Sequence, residues 1–267
     1  AGDALTTGGD NVAIGSSALT GQQSGNSNVA IGKSAMAQGE GTDRNVAVGY
    51  FALNNLSFAG DSYNVAVGYN AGTAVTTGVK NTLIGGSAGD ALTIGNNNIA
   101  IGHKALSTSV DGDENVAIGY LALEDYEDGD GNGHNTAVGA RSQREATTGE
   151  FNTSLGSLSM GVGVVTGDGN TSVGYQAGQA ITSGSGNIAI GRGSGDAVTS
   201  GSDNISIGTS ALGTEDTYGK NVAIGSSALN ALNAGADGYN VAVGYAAGAA
   251  MTTGTGNTLI GGEAGDA

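Results

Sequence analysis

A five-residue alternation of branched and small residues, Asn-Val-Ala-Ile-Gly, opens at Asn11 and occurs fifteen times in lightly edited form, the last copy starting at Asn257. With Asn as position 1, position 2 is Val, Ile or Thr and position 4 is Ile, Val or Leu. Position 3 is Ala or Ser except at Leu83 and Leu259, and position 5 is always Gly. Strict alternation over this length predicts a β-strand with positions 2 and 4 on one face and position 3 on the other; a helix would not keep that register. Ten of the fourteen intervals between copies equal the one from Asn11 to Asn28, and the other four are longer by one, two, two and three positions. A fixed short period is the signature of a solenoid. The chain is therefore expected to be all-β: a parallel β-roll of about 15 coils with a 17-residue repeat, forming one continuous array over residues 1–267.

Each position carries a physical reading. Asn at the head of each strand suits a turn residue, and stacked copies such as Asn11, Asn98 and Asn221 can form an amide ladder from coil to coil. The Gly that closes the motif, as at Gly15, Gly102 and Gly225, marks a place where a Cβ would obstruct a sharp turn or a close approach. Position 8 is Ala or Ser throughout, and position 9 switches between large aliphatics such as Leu19 and Leu106 and glycines such as Gly72 and Gly89. Positions 10 onward are polar and absorb the extra residues of the long intervals, so a second, weaker strand and an exposed loop are expected there. Two or three substantial aliphatic side chains per coil are too few to offset the ordering of seventeen residues at about 1 kcal/mol or more each. Something else must cover an apolar face. The small residues at positions 3 and 8 are read as the sites where another copy of the chain packs, which predicts a cyclic homo-oligomer.

A longer rhythm overlies the short one. The copies starting at Asn11, Asn28, Asn45, Asn64 and Asn81 map in turn onto those at Asn187, Asn204, Asn221, Asn240 and Asn257 at one constant displacement. Residues 11–91 thus match 187–267 as a partly duplicated ten-repeat block. Both ends fall within a repeat, so the chain is expected to be a segment of a longer fibre.

Composition narrows the function. Twenty-four acids against eight bases give a formal charge of −16, which argues against nucleic acid or an anionic membrane as partner. Pro, Cys and Trp are absent and 52 residues are Gly, yet these glycines follow no three-residue period, which excludes collagen. No apolar run approaches a membrane span, so no membrane insertion is expected.

The motif Asn-Val-Ala-Ile-Gly-x-x-Ala, at Asn28 to Ala35, Asn98 to Ala105 and Asn221 to Ala228, resembles the head repeats of trimeric autotransporter adhesins of the YadA type. It is similar also to related repeats of bacteriophage tail fibres, where forms such as Asn135 to Gly139 are common. The resemblance covers essentially the whole chain. It implies a left-handed parallel β-roll, a homotrimer about a common axis, an extracellular, cell-surface or virion location, and attachment to a host-cell or extracellular surface ligand. The alternative it implies is a purely structural tail-fibre shaft whose binding tip lies elsewhere.

No catalytic constellation stands out, so a non-enzymatic role is expected. His103 and His134 lack a recurring Ser or Asp partner and read as surface histidines. Tyr50, Tyr69, Tyr120, Tyr175 and Tyr245 share position 6, where amphipathic rings on a rigid surface can bind sugars or protein; shielding of the coil edge is the plainer alternative. No cofactor is expected, and calcium is a candidate structural ligand set against the plainer reading of an acidic surface loop. In the longest interval Asp128, Asp130 and Asn132 alternate with glycines in the pattern that opens an EF-hand loop, although the closing Glu is absent.

Overall fold

The computed structural model describes residues 1–39, 41–127, 133–215 and 217–266. Two compact units divide the chain, residues 1–135 and 136–267. In the first, seven three-residue strands follow one another: Val12–Ile14, Val29–Ile31, Val46–Val48, Val65–Val67, Thr82–Ile84, Ile99–Ile101 and Val116–Ile118. In the second there are eight: Thr136–Val138, Thr153–Leu155, Thr171–Val173, Ile188–Ile190, Ile205–Ile207, Val222–Ile224, Val241–Val243 and Thr258–Ile260. Within each unit every strand pairs in parallel with the next at identical motif positions, for example Val29 with Val46 and Ile205 with Val222. Each unit is thus an all-β parallel solenoid with a repeat of about 17 residues, and the two account for about 14 turns. No helix occurs among the described residues.

The strand is short because its two ends are fixed by different chemistry. At the front, Asn forms the expected ladder. Asn98 Nδ2 donates to Asn81 Oδ1 at 3.1 Å and to the Gly112 carbonyl at 2.7 Å, while Asn98 Oδ1 accepts from the backbone N–H of Asn115 at 2.9 Å. Asn28, Asn187 and Asn240 repeat the scheme. The amide closes its own coil and ties it to the neighbours, and each buried donor finds an acceptor as burial demands. Asn152, Asn170 and Asn204, which stand in glycosylation sequons, are rungs of this ladder and are buried. At the back, Gly15 has φ +120°, and a Cβ there would lie 2.7 Å from the carbonyl carbon and oxygen of Gly32. The invariant glycine is a backbone-on-backbone contact between coils.

Burial assigns the two strand faces. Position 3 points inward: Ala30, Ala47, Leu83, Ala100, Ala117, Ala137 and Ala223 are inaccessible to solvent, as are Ala35, Ala52, Ala105 and Ala228 at position 8. The expectation that these small residues meet another chain is therefore corrected. They line the interior of their own coil, where a small residue at the strand leaves room for the larger side chains of other positions. Two further positions complete that interior. Position 9 contributes Leu19, Met36, Leu53, Leu106 and Leu123, and position 12, read above as part of a polar loop, contributes Leu56, Val75, Leu92, Tyr126, Ile181 and Leu232. The loop half also lacks the general second strand expected of it. Among the described residues only Thr42–Asp43 with Gly60–Asp61, and a bridge between Ala146 and Val165, have strand pairing there. Elsewhere single backbone bonds between coils hold it, such as Thr76 N–H to Thr93 C=O at 2.9 Å.

Inside the coil, residue size is reciprocal. A Cβ on Gly72 would sit 2.6 Å from Leu83 Cδ1, and one on Gly89 would sit 2.8 Å from Leu83 Cδ2. In the second unit Leu259 stands in the same relation to Gly248 and Gly265. The two large residues at position 3 thus fill the room left by glycine at position 9, in their own coil and the one before it, keeping the packing dense.

Positions 2 and 4 point outward. Val12, Ile14, Ile84, Ile99, Leu155 and Ile190 are exposed, and most of their counterparts are half-buried. Each unit therefore carries a double column of aliphatic side chains on its outer strand face.

Candidate functional site: an aromatic column at the coil edge

Beyond the glycine of position 5 the chain turns, and position 6 projects at the corner of the coil. Backbone bonds hold that corner in register: Asn70 N–H donates to Tyr50 C=O at 2.9 Å, Ser87 to Tyr69 at 2.8 Å, Lys104 to Gly86 at 3.0 Å and Leu121 to His103 at 3.1 Å. The occupants of this corner on successive coils thus stand one above another. In the first unit the column reads Ser16, Lys33, Tyr50, Tyr69, Gly86, His103, Tyr120.

Two of the five tyrosines singled out from sequence are brought together. Tyr50 and Tyr69 stack with ring centroids 5.3 Å apart and planes 5° from parallel. Phe51 meets Tyr50 edge-on at 4.4 Å, and Lys33 Nζ lies 5.6 Å from the Tyr50 centroid. Tyr120 pairs with His103, at 5.8 Å and 25°. These separations and angles fall in the range of favourable aromatic contacts. His103 joins the tyrosines in this column, and its place at position 6 is legible from the spacing. Tyr175 and Tyr245, in the second unit, are exposed and have Arg192 and Gly262 at the next position 6. They stand singly where the first unit has stacks.

The structure adds a second surface cluster that the sequence reading missed. Arg44 pairs with Asp61, and Tyr63 donates to Asp61 Oδ2 at 3.1 Å while its ring lies 5.7 Å from the Arg44 guanidinium carbon. At the matching place in the duplicated block, Lys220 pairs with Asp237 and lies 5.2 Å from the Tyr239 ring. The hydrogen bond from Lys220 holds the Asp237 carboxyl below its ordinary value, and Asp237 raises the Lys220 ammonium in turn. The signal was available, since cation, acid and tyrosine are retained together in both blocks, with Lys in place of Arg.

His134 lies 3.2 Å from Glu114, two coils from His103, so the histidines do not share a site. Asp128, Asp130 and Asn132 lie outside the described residues. Among the described residues there is no group of three His, Cys, Asp or Glu side chains placed to hold a metal, and no enclosed pocket. The exposed chemistry is that of open surface: aromatic faces, amides, hydroxyls and single charges that can stack and hydrogen-bond. Comparison of the chain with protein-family models, with curated proteins and with solved structures gives no match.

Proposed function

We infer that the chain is part of a non-enzymatic extracellular fibre, a left-handed roll assembled as a homotrimer, whose repetitive surface attaches to cells or other surfaces. The observation that carries this reading is the double column of Val, Ile, Leu and Thr facing outward from a chain that already fills its own interior. An aliphatic face of this regularity calls for cover, and symmetric self-association is the commonest way to supply it. The corner carrying position 6 lies beyond the strand and its glycine, so covering the strand face leaves the aromatic column available to a ligand. The formal charge of −16 supports a partner other than nucleic acid or anionic membrane.

The resemblance to YadA-type head repeats and tail-fibre repeats points the same way. A purely structural tail-fibre shaft is the second reading, favoured by the second unit, where tyrosines stand singly at position 6. Gold-labelled antibody against this segment, imaged on the parent cell or virion, tests both. Label along a surface fibre, with attachment blocked by the antibody, is expected. Label in the cell interior would overturn the reading, and label on a fibre whose attachment is unaffected would favour the shaft.

A further inference from the structure

In the first unit, one rung of the aromatic column is vacant. Tyr69 and His103 stand on either side of Gly86, two coils apart, each with one face already stacked on a ring, Tyr50 and Tyr120 respectively. The remaining faces of these two rings therefore look toward the same vacancy. At about 4.8 Å per coil, Cα positions two rungs apart are separated by about 10 Å. The vacancy is accessible and unstrained. A Cβ built on Gly86 would meet one heavy atom outside its neighbours, His103 Cδ2 at 3.5 Å, an ordinary contact, and Gly86 does not share the positive φ of the glycines before and after it in the repeat. Glycine is thus not required there by the backbone.

The rim of the vacancy is polar. Position 7, the next residue along the same edge, is Asn70, Ser87 and Lys104 on the three coils concerned, one rung apart. The Ser87 hydroxyl is hydrogen-bonded to Asp90, and Lys104 Nζ lies 3.7 Å from Glu124. An amide, a hydroxyl, an ammonium and a carboxylate are thus carried by the coils that bear the two rings, by the coil between them and by the coil that follows.

We propose that this notch binds one pyranose ring of a neutral glycan, sandwiched between Tyr69 and His103 with its hydroxyls toward Asn70, Ser87 and Lys104. A puckered chair presents C–H bonds on both sides and can meet the Tyr69 and His103 faces at once. Sugar hydroxyls can also exchange hydrogen bonds with these polar side chains, which an apolar or aromatic side chain would not. The acidity of the chain selects against uronates and sialylated sugars. The proposal rests on the attachment reading and names the ligand class of that surface.

The test is a glycan microarray carrying neutral hexose and N-acetylhexosamine oligosaccharides beside uronate-containing and sialylated ones, probed with the full chain. The wild type is expected to bind neutral members. Gly86→Tyr places in the rung the residue that the two preceding coils carry, leaving the fold intact and the notch closed, and is expected to reduce binding at least tenfold. Tyr69→Ala is expected to do the same, and Val164→Ala, at an exposed position of the second unit away from the column, to change nothing. Absence of neutral-glycan binding by the wild type, binding only to acidic glycans, or undiminished binding by Gly86→Tyr would each overturn the notch. Attachment of the fibre to its target surface is measured in parallel; if it persists while the array is blank, only the glycan site is lost and the attachment reading stands.

Discussion

The reciprocity of Leu83 with Gly72 and Gly89 can be tested by a double-mutant cycle. Leu83→Ala removes a wholly buried side chain and leaves room on two sides, at Gly72 and Gly89, which costs about 2–5 kcal/mol. Gly89→Leu alone drives a side chain into Leu83, since even its Cβ would lie 2.8 Å from Leu83 Cδ2. Overpacking costs about 1–3 kcal/mol, and the left-handed backbone adds about 1 kcal/mol. That backbone is tolerable: Gly89 has φ 55°, and leucine occupies the equivalent place at φ 54° in Leu19, 52° in Leu106 and 50° in Leu123. In the double variant the new leucine takes up room vacated by the old one, although the space beside Gly72 stays partly empty. The variant should therefore resemble the ordinary Ala-plus-Leu coils and fall below wild type by about 2–3 kcal/mol, against about 4–9 kcal/mol for the sum of the singles. Guanidinium unfolding at fixed protein concentration measures the cycle, with hydrogen exchange at the Ala88 and Ala105 amides reporting on the local coil. Additivity of the singles to within about 0.5 kcal/mol would refute the claim that the two positions share one interior space.

Other expectations follow from single groups. Asn98→Ala orphans the Asn115 N–H and the Gly112 carbonyl and should cost about 3 kcal/mol or more, while Asn257→Ala at the half-buried last rung should cost less; equal melting temperatures for the two would contradict the ladder. Burial raises the Asp90 carboxyl above its ordinary value of 3.8, so the folded state holds the proton to higher pH than the unfolded chain, and stability falls as pH rises through that window. Asp90→Asn should thus melt above wild type at pH 7 and equal it near pH 3; a pH-independent difference would exclude burial of the charge as the cause. Calorimetry with millimolar calcium is expected to give binding heat for the wild type and none for an Asp128→Ala, Asp130→Ala variant; identical heats would return that loop to an ordinary acidic surface segment.

Much of this architecture was legible because the repeat exposes it fifteen times. Strand position, parallel register, the Asn ladder and the close approach at the invariant glycine all follow from which residues cannot change. Alternation alone, however, says that a strand has two faces and leaves open which is inside. The small residues of positions 3 and 8 suggest a chain-to-chain contact, yet they fill the interior of their own coil beside the larger residues of positions 9 and 12, and the aliphatics of positions 2 and 4 face out. The fourth interior position, carried by Leu56, Leu92 and Tyr126, was hidden because it also admits Gln22 and Ser109 and because insertions begin nearby. The left-handed backbone at positions 7 and 9 had left a trace. None of the non-glycine residues with positive φ is Val, Ile or Thr, the types least able to adopt it. The stacked rings were half legible: the tyrosines share a position, but stacking needs neighbours on adjacent coils, which only the first unit supplies for Tyr50 with Tyr69 and His103 with Tyr120.

The most direct test of the account is the mass of the assembled chain in solution, by sedimentation equilibrium or native mass spectrometry, with circular dichroism to confirm that it is folded. Covering the outward aliphatic face by self-association in a trimer predicts a species three times 25.6 kDa, lost when Val48 and Ile101 on that face are replaced by glutamate. A folded, non-associating chain of 25.6 kDa would contradict it.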